Sequence, residues 1–176
     1  MVDHGSIIGV NRTSADKMNE ELVIRAVGKS DAFTVFNWRN HSNVRKWSHD
    51  TDLIDIESHL GWFLDWVEQQ DAKGYFFIVE LRNTCVGLVR FDHISEARFE
   101  ISVIVDPDYQ GRGIARSAIT KALAHLEKSH GVFTIIASIH RDNLVSIKLF
   151  QNLNFIQIGS KDKFIHLVRK FGGHNA

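Results

Sequence analysis

The clearest change of period along the chain runs from Arg98 to Leu126. Residues 98–105, RFEISVIV, are rich in β-branched side chains, and alternation puts Phe99, Ile101, Val103 and Val105 on one face and Glu100, Ser102 and Ile104 on the other. Pro107 cannot donate to a sheet ladder, so the strand ends there and residues 106–110 turn. From Ile114 the period becomes helical. Ile114, Ala115, Ala118, Ile119, Ala122, Leu123 and Leu126 form one apolar face, with Gly131 as the expected stop.

Weaker patterns surround this centre. Residues 22–27 read as a first strand, and Ser30 or Asp31 is placed to cap a helix through Phe33, Phe36 and Trp38. Asp55 offers a cap for a helix whose stripe is Ile56, Leu60, Phe63, Leu64 and Val67, with His59 and Trp62 falling off it. Between the two lies 38–47, WRNHSNVRKW, too dense in polar, cationic and aromatic groups to read as core. Segments 75–81 and 85–92 form a hairpin across Arg82, Asn83 and Thr84. A continuous apolar run at 132–139 suits a buried strand. Asp142 or Asn143 starts a helix carrying Ile147, Phe150 and Leu153, and 154–158 and 164–168 close the chain as strands. The predicted order is therefore β, α, α, β, β, β, α, β, α, β, β, in a single domain at 21–176 behind a loose leader at 1–20.

Composition narrows the partners. Twenty-one basic and 21 acidic side chains cancel, which argues against nucleic acid or an anionic membrane as partner. A single cysteine, Cys85, excludes an internal disulfide, and no apolar run has the length of a membrane span or the core of a signal peptide, so a cytoplasmic location is expected. The ten histidines show no paired metal-ligand spacing, so no metal is expected.

The chemistry concentrates in the turn after the central strand. Gly111 and Gly113 flank Arg112 and open directly into a helix, whose first amides lack intrahelical acceptors and form an anion site. The spacing is neither that of a P-loop nor that of a dinucleotide fingerprint. It is Gln110-x-x-Gly113-x-Ala115 after a V-x-V-x-P strand end, and it resembles the coenzyme-A loop of the GNAT N-acetyltransferase superfamily. Farther on, Asn143-x-x-Ser146-x-x-x-Phe150 followed by Asn154-Phe155 resembles that superfamily's second motif, with Phe150 in the usual tyrosine position and Asn154 in place of the common glycine.

The resemblance implies an α/β (α+β) fold with a mixed, mostly antiparallel seven-stranded sheet, about four flanking helices, and a splay between the fourth and fifth strands. Acetyl-CoA would be the cosubstrate. Its pantetheine arm would lie against Val103, Ile104 and Val105, its pyrophosphate on Gly111, Arg112, Gly113, Ile114, Ala115 and Arg116 behind Gln110, and further contacts would come from Asn143, Ser146 and Phe150. The amide of Val105 or a neighbour would hold the oxyanion. Glu100 is the candidate base for the attacking amine. Phenylalanine at 150 leaves the thiolate's proton donor open among Tyr109, Ser146, Ser138, His140 and water.

The expected acceptor is a small-molecule amine. WRNHSNVRKW, His59 and Phe63, the Tyr75–Phe77 aromatic run and SKDKFIHLV together resemble acetyltransferases of the pseudaminic-acid pathway, which act on the 4-amino group of a UDP-linked deoxy sugar. Arg39, Asn40 and Trp47 would then meet the sugar nucleotide, with Arg45 and Lys46 near its diphosphate and Trp38 or Trp47 stacking on uracil or sugar. Two other readings stand beside it: a protein amino-terminal acetyltransferase of the ribosomal-protein kind, and a non-catalytic acetyl-CoA sensor. A homodimer is left open.

Overall fold

The computed structural model describes residues 21–172, so the leader expected at 1–20 lies outside the described residues. One seven-stranded sheet runs in the order β1-β2-β3-β4-β5-β7-β6. Its strands are β1 Leu22–Ala26, β2 Gly74–Leu81, β3 Thr84–Ser95, β4 Arg98–Val105, β5 Phe133–His140, β6 Ile156–Lys161 and β7 Phe164–Phe171. Among the described residues only β4 and β5 pair in parallel. Four helices exceed a single turn, namely α1 Ala32–Asn40, α3 Ile56–Glu68, α5 Ile114–Ser129 and α6 Leu144–Asn152; α2 Ser42–Arg45 and α4 Gln70–Lys73 are short. This is the mixed, mostly antiparallel architecture expected from the sequence.

Each face of the sheet has its own core. On one, Phe99 and Ile101 of β4 pack with Ala118, Ile119 and Leu126 of α5 and with Phe150 of α6. On the other, Val35, Trp38, Phe63 and Trp66 from α1 and α3 cover Phe76, Ile78 and Leu88. The alternation read along β4 therefore assigns its two faces correctly, and Glu100 and Ser102 belong to the α1–α3 side.

Local chemistry explains the element ends. The β2–β3 hairpin turns on Arg82 (φ 51°) and Asn83 (φ 63°), a two-residue loop of the kind that matches strand twist. The Asp55 carboxylate accepts from the Ser58 amide and starts α3. Asn143 rather than Asp142 caps α6, accepting from the Ser146 amide at 3.2 Å. Asn154 takes φ 62°, the left-handed geometry at which it stands in for glycine.

Three local expectations are corrected. Asp31 precedes α1 but does not cap it with its side chain; it is 5 % exposed and accepts from Arg25 at 2.7 and 2.8 Å. The buried stripe of α3 is His59, Phe63 and Trp66, rotated from the expected one, and Leu64 is exposed, because the core wants the larger aromatic surface and can satisfy His59 with a backbone carbonyl. Helix α5 stops at Ser129 with an extended His130, and Gly131 is not left-handed.

Candidate active site

Strands β4 and β5 pair only at Arg98↔Thr134, Phe99↔Ile135 and Glu100↔Ile136. Beyond that vertex each strand follows its other neighbour, β4 staying with β3 as far as Val105↔Gly87 and β5 staying with β7 as far as His140↔Phe164. A wedge therefore opens between them. Gly87 makes the close approach on the β3 side possible, since a Cβ there would stand 2.4 Å from the Ile104 carbonyl oxygen. The Asp106 amide donates across to Val86 at 2.9 Å, so alternation points the backbone groups of Ile101, Val103 and Val105 into the wedge. Those of Ile104 face β3 instead. Of the three residues expected to line a pantetheine arm with backbone, Ile104 is thus turned away, and its side chain joins the α1–α3 core.

At the mouth of the wedge the chain turns through Pro107–Tyr109 and then through Gly111 (φ 77°) and Gly113 (φ 80°), left-handed positions that L side chains resist. Ser117 makes the first backbone hydrogen bond of α5, to Gly113. Among the described residues the amides from Gly111 to Arg116 donate to no backbone carbonyl outside the helix, and Ile114, buried, anchors this open cradle in the core. The Gln110 amide group donates to the Val105 carbonyl at 3.1 Å and ties the turn to the strand end. Arg112 curls back, donating to the Asp108 carbonyl at 2.9 Å and lying 5.1 Å over the Tyr109 ring. Ala115 is partly exposed and Arg116 exposed beside the cradle. Across the wedge, Ser146 is half-buried, the Asn143 side-chain oxygen is committed to its cap, and Phe150 is 5 % exposed against Phe155. The backbone cradle and unpaired strand edge fit a diphosphate joined to an extended amide chain, the chemistry of coenzyme A.

On the α1–α3 side, the segment from α1 to α3 roofs the wedge. The Trp38 indole donates to Asp106 at 2.8 Å at the end of β4. Trp47 packs 5.6 Å from His140 at the end of β5, and His49 stacks 3.7 Å from Phe164 of β7. The roof is thus pinned to all three strands that meet there. Trp38 is core, contrary to the reading of WRNHSNVRKW as wholly outside it, and its ring is unavailable for stacking on a nucleotide. Asn40 and Arg45 are structural as well. The Asn40 side chain exchanges hydrogen bonds with the Ile54 backbone at 2.8 and 2.9 Å, and the Arg45 guanidinium donates to the Asn40 and Thr51 carbonyls. Trp47 stays half-buried with Lys46 over its ring.

Arg39 is different. Its guanidinium lies 4.1 Å over the Trp62 ring and 3.3 Å from Nδ1 of His59, and it forms no ion pair among the described residues. His59 is fully buried, its Nε2 2.8 Å from the Ala32 carbonyl; burial lowers its pKa, which favours the neutral ring with Nε2–H donating and Nδ1 accepting from Arg39. Burial, together with nearby Arg90, also lowers the Arg39 pKa. Arg90 lies 5.1 Å over the same Trp62 ring and donates to Asp92 at 2.9 Å, and Asp92 accepts from Trp66 as well. Asp92 stands opposite Glu100 in the β3–β4 register, and Arg90 stands opposite Ser102. Glu100 is half-buried at the vertex. Arg90 and Asp92 escaped the sequence reading. Their signal was available only as strand parity, since 90 and 92 share a face with 100 and 102 once the hairpin register is known.

Two cavities lie beside this frame. One of about 340 Å³ lies between α1 and the Asp106–Asp108 turn, next to the roof. The other, about 400 Å³ around Tyr75, His93, His125 and His130, is at the opposite end of the sheet and away from the wedge. Among the described residues no three metal-ligating side chains gather. No described helix is long and apolar enough to cross a membrane.

A wedge between parallel central strands, closed by an anion cradle, defines an acyl-CoA-dependent transferase. Residues 21–156 match the model of the acetyltransferase (GNAT) domain, and the chain belongs to that family of acetyl-CoA-dependent N-acetyltransferases. It is 26 % identical over 136 residues to acetyltransferase PseH of Campylobacter jejuni, covering 77 % of this chain and 83 % of that protein. It is also similar to the L-amino acid N-acyltransferase MnaT of Escherichia coli, at 29 % identity over 155 residues, with 80 % and 86 % of the two chains covered. Among solved structures, spermidine N-acetyltransferase of Vibrio cholerae in complex with CoA and spermine superposes with a TM-score of 0.73 at 19 % identity, over 86 % of this chain and 95 % of that one.

Proposed function

We propose that the chain acetylates the 4-amino group of a UDP-linked deoxy amino sugar, a step of the pseudaminic-acid type that serves surface-glycan or flagellin glycosylation. Arg39 carries this reading. An arginine half withdrawn from water, beside a second arginine and among the described residues without a carboxylate partner of its own, favours an anion, and the Trp62 face beneath it fixes the plane of the guanidinium. A sugar nucleotide brings a diphosphate to that place; a polyamine would bring more positive charge. In this reading acetyl-CoA runs along Val103 and Val105 with its pyrophosphate on residues 111–116. Glu100 takes the proton of the attacking amine, and a wedge-facing amide of β4 holds the oxyanion.

A second acceptor class draws on Asp92, which stands opposite Glu100 in the β3–β4 register near the vertex, because acidic groups favour a cationic peptide amino terminus. The test is release of coenzyme A from acetyl-CoA by purified protein, comparing a UDP-linked 4-amino sugar, a peptide with a free amino terminus, spermidine and L-methionine sulfone. Fastest release with the sugar is expected. Release with the peptide alone moves the enzyme to the protein-modifying branch, and silence with all four returns the sensor reading.

A further inference from the structure

The proton that the departing sulfur must gain has no tyrosine to supply it, since position 150 is phenylalanine and its ring is packed on Phe155 in the core. The side chains around the vertex suggest another source. Ser138 and His166 are direct partners in the β5–β7 register, both are half-buried, and Ser138 Oγ lies 3.1 Å from His166 Nδ1. They share the sheet face of Glu100. In the parallel register Glu100 faces Ile136, so Ser138, two residues on, is the first β5 side chain on that face beyond the vertex. Ser102 holds the equivalent place on β4, and among the described residues it has no hydrogen-bond partner able to pass it a proton.

The other hydroxyl and imidazole groups nearby lack such a hydroxyl–imidazole pair among the described residues. Tyr109 lies under Arg112 on the cofactor turn. Ser146 sits behind the α6 cap. The Nδ1 of His140 accepts from the Asp142 amide at 3.3 Å, and its ring is wedged between Trp47 and Phe164.

We infer that Ser138 is the proton donor to the leaving thiolate and that His166 is the positioning residue that orients and recharges it. As the amine nitrogen bonds to the thioester carbon, the C–S bond breaks with its electron pair passing to sulfur. Sulfur takes the Ser138 hydroxyl proton while Ser138 Oγ takes the Nδ1 proton of the imidazolium form of His166. The amine's own proton leaves on Glu100, and exchange with water restores both groups for the next turnover. Acid and base thus stand on opposite walls of the wedge, which keeps the released proton from returning directly to the nucleophile.

This inference rests on acetyl transfer itself and on Glu100 as base, not on which amine accepts. Its test is a ratio between two donors on one amine, the fastest of the four compared above. One donor is acetyl-CoA and the other its oxygen ester, in which the leaving atom is an alkoxide and needs a proton far more than a thiolate does. Ser138→Ala should lower kcat with acetyl-CoA about 100-fold and with the oxygen ester about tenfold more than that, with KM for acetyl-CoA unchanged. His166→Asn should show the same donor dependence, the double variant should be no slower than Ser138→Ala, and Ser138→Thr, which keeps a hydroxyl, should retain most of the rate. Equal losses on both donors, or wild-type rates in Ser138→Ala, would overturn the relay while leaving the acetyltransferase assignment intact. Silence of the wild-type enzyme with every amine would instead remove the acceptor reading and the relay together.

Discussion

The two halves of the proposed active site are built from different materials. The acetyl-CoA side is made of backbone: an unpaired strand edge at Ile101, Val103 and Val105 and a cradle of amides from Gly111 to Arg116, all within one stretch of sixteen consecutive residues, 101–116. The proposed acceptor side is made of side chains carried by α1, α3, β3, β4, β5 and β7, and its central contact, Arg39 on Trp62, joins residues from separate helices. Backbone recognition is general and tolerates sequence drift around a few glycines. Side-chain recognition sets the acceptor, and it can change whenever one distant segment changes.

The largest effect should come from breaking the backbone half. Gly113→Asp places a carboxylate on the anion cradle, and acetyl-CoA affinity measured by calorimetry should fall at least about 100-fold, or about 3 kcal/mol. Unchanged affinity would dismiss the cradle. Next, Glu100→Gln should lower kcat by about 10² to 10³ while acetyl-CoA binding stays at its wild-type value, because the change touches proton transfer and leaves the cradle alone. A wild-type rate across the pH range would acquit Glu100.

A smaller effect is expected on the acceptor half alone. Arg39→Leu should raise KM for the UDP-linked sugar by about 10- to 100-fold, the worth of one charge-assisted contact, and leave KM for acetyl-CoA unmoved. If KM for the sugar stays the same, the anion site is not where the acceptor binds. The smallest effect concerns the scaffold under Arg39. Burial depresses the folded-state pKa of His59 below its ordinary 6.5, so its contribution to stability is complete above that pH and is lost as acidification protonates the unfolded chain first. Melting temperature should therefore fall between pH 7 and pH 5, and His59→Gln should flatten that slope. An unchanged slope would show that His59 is not the group responsible.

How much was legible in advance follows the same division. The strand at 98–105, the turn at Pro107 and the α5 stripe are local patterns, and they are found where the alternation and the glycines put them. Asn154 and Asn143 were readable too, since each acts on backbone within a few residues of itself. The α3 stripe was misjudged because a polar histidine reads as poor core, whereas the fold offers the Ala32 carbonyl to His59 and Asp92 to the Trp66 indole. Trp38 was misjudged for the same reason: the Asp106 carboxylate that satisfies its indole lies 68 residues away in the chain.

By itself, then, the chain's sequence determined the local pieces of the sheet and the glycine turn, because each depends on dihedral preferences and hydrogen bonds between near neighbours, and its two motifs carried the resemblance to the reaction family. Tertiary structure alone decided that Asn40 and Arg45 hold the roof while Arg39 is left, among the described residues, without an acid partner, and that Ser138 meets His166 on the face of Glu100. Those facts depend on strand register and on which polar groups find partners across the fold, and a polar side chain's role is set by whatever remains unsatisfied after the backbone has closed.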